Sequence, residues 1–264
     1  MRLYLQIAKN TWDEMTTYRF NFIMWRVRNV LQLLTVYYLW LAVTPQHGSL
    51  FGYSQSAIVS YILGASLVGS IVFSSRTQEM GENINSGELS QYLIRPVTYF
   101  GYWFARDIGD KLFNISFAVV ELALLFIILK PSLYIQTDTT MLIFSILALC
   151  LAIVSNFFIG CLLSMIAFWS PEFWAPRFIF YMLISFFAGG LFPLDILPQW
   201  FQYVVRFSPF TYLQYFPLKI YLGGFSTTQI WQGLIISAIW AGVFYLLLHY
   251  IWKKGLRMYS SQGG

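Results

Sequence analysis

The stretch from Arg76 to Pro96 carries most of the side chains suited to polar contacts in the middle of an otherwise apolar sequence. Its charged residues are Arg76, Glu79, Glu82, Glu88 and Arg95. Apolar runs long enough to cross a bilayer flank it on both sides, so the stretch itself must lie in water. The chemistry that these side chains offer is recognition of a soluble partner or a substrate, and the stretch is predicted to be a contact site and not a catalytic one.

A short helix is predicted near residues 86–94 of this stretch. Asn85 and Glu88, three residues apart, resemble a capping box that would begin the helix. Pro96 would end it, because proline disfavours the helical conformation at the residue before it, Arg95. A short helix held in water between two spans could dock on a soluble motor and pass force to the spans. The alternative is a plain solvated loop.

Other residue types that could do chemistry form no site in the sequence. There is no G-x-x-x-x-G-K-[ST] segment, so the chain cannot hold a nucleotide through a P-loop. His47 and His249 are predicted near opposite ends of different spans, where they form no ligand cluster. Cys150 and Cys161 would lie roughly 16 Å apart along one helix, too far for a disulfide. We therefore expect no catalytic residue, no metal site and no enzymatic activity.

Glu121 is the one acidic residue predicted inside a span. It follows Lys111 by ten residues, which places it about 15 Å into the membrane. A carboxylate at that depth is costly and must face protein or a wet cavity. It is either a substrate or gating contact, or a protonated or hydrogen-bonded packing residue, and the sequence leaves both open.

Composition indicates an integral membrane protein. Hydrophobic residues make up 58% of the 264 residues and charged residues 10%, whereas soluble proteins carry about 25% charged residues. The net charge of +5 is scattered between apolar runs, so no nucleic-acid partner is expected. We predict an all-α fold, one transmembrane domain over residues 1–264 with membrane lipids around it. Its six predicted spans are residues 24–43, 55–75, 108–129, one within 139–171, 177–193 and 229–252.

An interfacial helix is predicted over residues 1–22, before the first span. Leu5, Ala8, Trp12 and Met15 follow one another at helical spacing and would form its apolar stripe. With basic residues elsewhere on the helix, this pattern is typical of a helix lying on a membrane surface. The alternative is a cytoplasmic helix that packs on the protein's own spans.

Two further segments lie near predicted span ends. Residues 193–224 contain four prolines, which rule out one long helix and predict two short helices that dip into the outer side of the membrane and return. The charges at 106–111 are spaced as two i,i+4 pairs, which predicts a solvated helical turn leading into the third span. They are Arg106, Asp107, Asp110 and Lys111.

Basic residues are distributed unevenly between the two sides of the predicted bilayer. With the N-terminus inside, thirteen of the 16 Lys and Arg residues lie in inner segments, and only Lys130, Arg206 and Lys219 lie in outer ones. Inner loops of membrane proteins are enriched in Lys and Arg. We therefore expect both termini, and a loop over residues 76–100, to be cytoplasmic.

Two motifs resemble the ABC-2 type permeases, the membrane subunits of ABC exporters. The first is G-E-L-x-x-Y-L-I-R-P at Gly87 to Pro96, and the second is GGLFPLDILPQWFQYVVRFSPFTY at Gly189 to Tyr212. The order of an N-terminal interfacial helix, six spans and a proline-rich segment before the last span is also similar to that family. The resemblance covers nearly the whole chain.

The resemblance implies a division of labour between chains. Two permease subunits, identical or related, would pair in the plasma (bacterial inner) membrane, and a dimer of separate ATPase subunits would bind ATP and Mg²⁺ below them. A coupling helix after the second span would enter a cleft on the ATPase. The residues implied for it are Gly87, Glu88, Leu89, Tyr92, Arg95 and Pro96. Those implied for an outer gate or substrate contact are Pro193, Pro198, Trp200 and Phe201, with Glu121 a further candidate.

The expected function is ATP-driven export of an amphiphilic substrate, such as a drug, a lipid or a glycan, by alternating access. An ATP-independent channel or secondary carrier is the main alternative, and it would need intramembrane charges along a path. A membrane assembly subunit without transport activity is a third possibility. The order of residues does not distinguish the substrate or the pairing of the permeases.

Overall fold

The computed structural model describes residues 2–17, 19–45 and 49–259, and over these ranges the chain is helical apart from loops, turns and an isolated bridge between Leu50 and Tyr53. This confirms the all-α prediction. The helices are α1 Arg2–Thr17, α2 Arg19–Val43, α3 Gln55–Val72, α4 Gln78–Asn85, α5 Leu89–Leu93, α6 Tyr99–Leu129, α7 Thr139–Ser164, α8 Trp174–Phe187, α9 Gln199–Phe207, α10 Tyr215–Tyr221 and α11 Thr227–Met258. Short 3₁₀ helices lie at Met165–Phe168, Leu194–Ile196 and Pro209–Tyr212. His47, predicted near the end of a span, and the residues after Tyr259 lie outside the described residues.

Four helices of the described chain are long and apolar enough to cross a membrane: α3, α6, α7 with the 3₁₀ helix that follows it, and α11. They correspond to the second, third, fourth and sixth predicted spans. α2 has 25 residues, which is sufficient length, but polar residues such as Asn29 and Gln32 dilute its apolar character. α8 has 14 residues and is about 21 Å long, shorter than a hydrocarbon core of about 30 Å. The first and fifth predicted spans, at α2 and α8, therefore stay predictions, and so does the total of six.

α8 ends earlier than the predicted span over residues 177–193 because two glycines follow it. Gly189 has a φ of 79°, a left-handed conformation that terminates helices. The amide of Gly190 then bonds back to the carbonyl of Ser185 at 3.1 Å, which satisfies one of the last helical carbonyls. The chain beyond this point runs into the proline-rich segment.

The long helices are apolar both on the faces buried within the protein and on the faces exposed at its surface. A core between α3, α7, α8 and α10 is built from Tyr61, Val72, Ala152, Ile184 and Leu218, among others. The outward faces of α6 and α11 are equally apolar: Ile127 is 66% exposed and Leu246 is 67% exposed. Apolar surface on this scale suits lipid and not water. The chain is accordingly a multi-pass membrane protein.

α1 packs directly on α6. A Cβ added to Gly109 of α6 would lie 2.5 Å from the carbonyl oxygen of Ala8, so the two backbones touch. The Trp12 and Phe113 rings meet edge to face, with centroids 5.0 Å apart, and Met15 is buried. Leu5, the remaining residue of the predicted stripe with Ala8, Trp12 and Met15, is 66% exposed. The alternative of a helix packed on the protein's own spans is therefore observed, and contact of α1 with lipid stays a prediction.

The proline-rich segment folds as two short α-helices, α9 and α10, with 3₁₀ helices before and between them. Pro193, Pro198 and Pro209 stand at or just before helix starts, where a missing amide hydrogen costs nothing. The prediction of two short helices is confirmed for the described chain. Their depth in the membrane stays a prediction.

Candidate functional site

The predicted docking element is two helices, α4 and α5, joined by a turn at Gly87 with φ of 81°. The capping-box prediction is wrong. Asn85 is the last residue of α4, and its amide donates to the carbonyl of Pro171 at 2.8 Å. Glu88 stands at the start of α5, but its side chain makes no capping hydrogen bond. α5 covers Leu89–Leu93. The segment between α3 and α6 therefore contains two short helices, whereas one helix near residues 86–94 was predicted.

The inner side of α5 is fixed to the protein. Leu89 is fully buried in a cluster that includes Met80 of α4 and Trp103 of α6. The hydroxyl of Tyr259, just after α11, donates to the carbonyl of Gly87 at 2.7 Å and accepts from the amide of Ser90 at 3.3 Å. The start of α5 is therefore held by the ends of α4, α6 and α11.

The outer side of α5 is open. Ile94 is 86% exposed and Leu93 is 47% exposed, while Glu88 and Pro96 are exposed beside them. Tyr92 carries the guanidinium of Arg95 over its ring, 4.2 Å from the centroid. We call the exposed residues Glu88, Leu93, Ile94, Arg95 and Pro96 the α5 surface. Apolar and charged groups alternate on it, as at the edge of a protein contact.

Ion pairs join α4 to α1 and α6. Arg76, just before α4, bonds to Glu79 at 2.6 Å and to Asp110 of α6 at 3.3 Å. Arg106 of α6 bonds to Glu14 of α1 at 2.6 Å and lies 3.1 Å from Glu79. Arg106 thus pairs with acidic residues of α1 and α4. The predicted pair between Arg106 and Asp110 does not form. Charges from three segments form one partly buried network.

The solvated turn predicted at residues 106–111 is wrong. Asp107, Asp110 and Lys111 are 0%, 5% and 2% exposed, because α1 and the end of α3 cover this part of α6. Of the two predicted pairs, the one between Asp107 and Lys111 forms, at 3.3 Å. Lys111 also donates to the carbonyls of Val72, at 3.1 Å, and Ser74. Lys111 therefore satisfies two backbone carbonyls at the end of α3, where the predicted docking element begins.

Arg177 of α8 ties α4 to α7. Its Nη1 donates to the carbonyl of Gly160 at 3.1 Å and to the hydroxyl of Ser164 at 3.0 Å. Its Nη2 donates to the hydroxyl of Thr77, at the N-terminus of α4, at 2.8 Å. The guanidinium is buried, so its hydrogen bonds are shielded from water.

Burial and neighbouring charges shift the pKa values of Arg76 and Glu82. Burial alone would lower the pKa of the Arg76 guanidinium, but Glu79 and Asp110 more than offset it, and the pKa is raised. The pKa of Glu82 is raised by burial and further by Glu79, while Arg177 acts in the opposite direction. Arg76 therefore remains a fixed positive charge at the entry to α4.

Two of the predicted outer residues pack inside the protein and two lie on or near its surface. Pro193 is buried, and the Phe201 ring stacks on Phe187 with centroids 5.9 Å apart. Trp200 is 68% exposed, and Pro198 is exposed at the start of α9. They share one segment but converge on no single point.

The proline-rich segment is tied to the first half of α3 and to Tyr53 just before it. Tyr53 donates to Asp195 at 2.9 Å, and Lys219 of α10 bonds to the same carboxylate at 2.6 Å. Tyr61 of α3 donates to the carbonyl of Gly189 at 2.6 Å. The α5 surface follows the last turn of α3, so the predicted outer and coupling residues lie toward opposite ends of that helix.

Two of the cavities in the described part of the molecule bear on function. One of about 450 Å³ lies between α9, α10 and the start of α11. The other, of about 350 Å³, lies between α2, α3 and the turn after α8. The second contains Arg28, Asn29, Gln32 and Gln214 among apolar side chains. Neither cavity contains a group of three or more His, Cys, Asp or Glu side chains that could hold a metal ion, nor does any other described region.

Glu121 forms an ion pair. Arg26 of α2 donates from Nε to one carboxylate oxygen at 2.5 Å and from Nη2 to the other. The Arg26 side chain is 6% exposed and that of Glu121 is 22% exposed. Neither residue lines either cavity. The pair joins α2 to α6, which favours a packing role, and a gating role for Glu121 stays a prediction.

The sequence profile of a family described as ABC-2 family transporter protein matches residues 30–263. The chain belongs to the ABC-2 transporter family. No curated protein matches it. An ABC-2 permease is a membrane subunit for transport that is not itself catalytic, and it typically works with an ABC ATPase. The resemblance inferred from the two motifs is thereby confirmed at the level of the family.

Sequence reasoning missed several polar residues of this ABC-2 permease. Glu14 was assigned no role and Arg177 entered only as one of the thirteen inner basic residues, although both reach α4 or its ion-pair network. Arg26 pairs with a residue 95 positions away, but one signal was available: it falls inside the predicted span over residues 24–43, where a lone cation needs a partner. No comparable signal pointed to Glu14 or Arg177.

Proposed function

We propose that this ABC-2 permease is the membrane subunit of an ATP-driven exporter, and that α4 and α5 are its coupling element. A separate ATPase dimer, holding ATP and Mg²⁺, would bind the α5 surface from the cytoplasm. A second permease, identical or related, would complete the pathway in the bacterial inner membrane. α2 and α8 would supply the remaining two of six spans, and both termini would be cytoplasmic.

One observation carries this proposal: α5 is open on its outer side and fixed on its inner side. Leu93 and Ile94 are available to a partner, whereas Leu89 is fully buried. A push on α5 reaches α4 through their shared core. It then reaches α8 through the contact of Arg177 with Thr77, and α6 through the contact of Arg76 with Asp110. Such a chain of buried polar contacts can carry motion between a docking surface and the spans.

The lining of the 350 Å³ cavity supports the proposal that the substrate is amphiphilic. Its wall on α2 offers the charge of Arg28 and the amides of Asn29 and Gln32, while Leu33 and Ile62 supply apolar surface. A mixed lining of this kind suits a molecule with a polar head and an apolar body. A drug, a lipid and a lipid-linked glycan all have that character.

The channel or secondary-carrier alternative receives less support. Glu121 is the acidic residue that it would use within the membrane, and Arg26 neutralises it between α2 and α6. Neither lies in a cavity. A path built on those two charges would first require the pair to separate.

The α5 surface is tested by charge reversal. Co-purification with an ABC ATPase co-expressed with the permease, and ATP-dependent transport in proteoliposomes, would be measured for Glu88→Arg and Arg95→Glu. We expect both variants to fold and to lose ATPase binding and transport. Lys130→Glu, an exposed change predicted on the outer side, is the matched control and should retain both. Normal ATPase binding and transport in both α5 variants would refute the proposal, as would ion-driven transport without any ATPase.

A further inference from the structure

The 450 Å³ cavity behind α9 has a polar mouth and an amphipathic wall. Trp200, Tyr203, Val204 and Phe207 recur at helical spacing on α9 and are 62–68% exposed. Gln199, Gln202 and Arg206 lie off that stripe and line the cavity. An exposed stripe of aromatic and apolar residues beside a polar face is typical of a helix in the interface of a bilayer. The cavity therefore opens beside lipid.

The position of Arg206 along α11 sets its level in the membrane. Its Nη2 donates to Oε1 of Gln232 at 3.4 Å. Gln232 precedes the basic pair Lys253 and Lys254 by about 21 residues, which is about 31 Å of helix. That length equals the hydrocarbon thickness of a bilayer, about 30 Å. With Lys253 at the inner boundary, Gln232 and the Arg206 guanidinium lie at the outer boundary, the level of lipid phosphates.

The charges of the cavity favour an anion with an uncharged polar headgroup. Asp195 is the sole carboxylate among the lining residues, and Lys219 and Tyr53 already bond to it. Arg206 has no carboxylate within ion-pair distance in the described chain, so its charge is not neutralised. An ammonium or choline headgroup would find no free carboxylate here. The side-chain amide of Gln199, which lines the cavity, can bond to hydroxyl groups.

We infer that this cavity binds an anionic phospholipid of the outer leaflet, with its phosphate on Arg206. The planar guanidinium presents paired donors that match phosphate oxygens. A polyol headgroup, such as that of phosphatidylglycerol, occupies the cavity beside Gln199. The acyl chains run down the exposed apolar face of α11 at Ile235 and Ile239. The site lies apart from the α5 surface, and it does not depend on how transport is driven.

Native mass spectrometry of the full chain in a neutral detergent tests the inference. The protein is titrated with phosphatidylglycerol and with phosphatidylcholine of the same acyl chains. We expect a preference for phosphatidylglycerol that falls roughly tenfold in Arg206→Gln, the effect expected for a lost charge-assisted hydrogen bond. Arg206→Lys should retain part of it, because it keeps the charge. Lys130→Gln removes a predicted outer cation that does not line the cavity, and it should retain all of the preference.

A further variant separates lipid binding from folding. Gln232→Ala removes the same bond between α9 and α11 as Arg206→Gln but keeps the guanidinium, so it should retain the preference. Equal loss in Gln232→Ala and Arg206→Gln would overturn the inference, as would no loss in Arg206→Gln. Glycerol 3-phosphate without lipid is the second arm and should displace no phosphatidylglycerol. Displacement by this soluble phosphate would overturn the assignment to a lipid.

Discussion

Arg177 Nη2 lies 2.8 Å from Thr77 Oγ1, so a buried guanidinium on α8 holds the first turn of α4. The same guanidinium bonds to the carbonyl of Gly160 and the hydroxyl of Ser164 on α7. Three helices thus meet at one side chain. A displacement of α4 that keeps these bonds must move α7 or α8.

Replacing Arg177 tests this junction. Arg177→Gln is expected to lower the free energy of unfolding by about 3 kcal/mol, because hydrogen bonds to a charged group contribute about 1.5–3 kcal/mol each. Unfolding in mixed micelles measures the change. Arg257→Gln, at an exposed position on α11, is the control and should change little. A stability loss no larger than that of the control would show that the junction is not significant.

The contact between α1 and α6 is tested by a single methyl group. Gly109→Ala would place a Cβ 2.5 Å from the carbonyl of Ala8, and such overpacking costs about 1–3 kcal/mol. We expect a lower melting temperature and faster proteolysis of α1. Gly242→Ala on α11 is the matched control, since a Cβ there meets nothing within 4 Å. Equal melting temperatures for the two variants would contradict the close backbone contact.

The ion pair between α2 and α6 is expected to depend on both partners. Glu121→Gln leaves Arg26 buried without its counter-charge, which typically costs about 3–5 kcal/mol. Combining Arg26→Gln with Glu121→Gln should recover much of that stability, since no unpaired charge remains. Melting temperature and transport in proteoliposomes are the two measurements. Transport by a stable double variant at the normal rate would assign the pair to packing alone, whereas its loss would assign Glu121 a part in transport.

Substitutions of two apolar residues, Leu89 in α5 and Ile94 just after it, should distinguish an effect on folding from an effect on docking. Leu89→Ala empties a buried position and is expected to cost about 2–5 kcal/mol. Ile94→Ala changes an exposed position and should change stability by less than about 0.5 kcal/mol. Under the proposed function, Ile94→Ala also weakens ATPase binding in a pull-down assay. If the well-folded Ile94→Ala variant binds the ATPase normally, Ile94 is not part of the docking surface.

Long helices were predicted well where a long apolar run determines them, but their ends were not: α6 begins at Tyr99 and not near residue 108, and α8 ends at Phe187 and not at residue 193. A run of residues without charge between Thr139 and Pro171 predicts a long membrane helix, and α7 with its 3₁₀ extension lies within it. The prolines before α9 and at Pro209 predict a broken segment, because proline limits the backbone wherever it stands. Gly189 and Gly190 end α8, and that signal was present in the sequence.

Predictions failed where the partner of a charge comes from a distant segment. Spacing made Asp107 and Lys111 a solvated pair, but α1 and the end of α3 cover them. Glu14 reaches Arg106 over 92 positions, and no local pattern encodes that contact. Asn85 had the spacing of a helix cap, yet the preceding residues already formed α4. α4 and α5 lie between two candidate spans, α3 and α6, while the contacts beneath α5 could be seen only in the fold.

The contact of Gly109 with Ala8 has a consequence for measuring motion. Because two backbones touch there, no side-chain layer can repack, and α1 and α6 should move as one rigid body. Spin labels at the exposed positions Leu5 and Leu112 would therefore give a constant distance through a transport cycle. That distance would serve as an internal ruler against which displacements of the other helices are read.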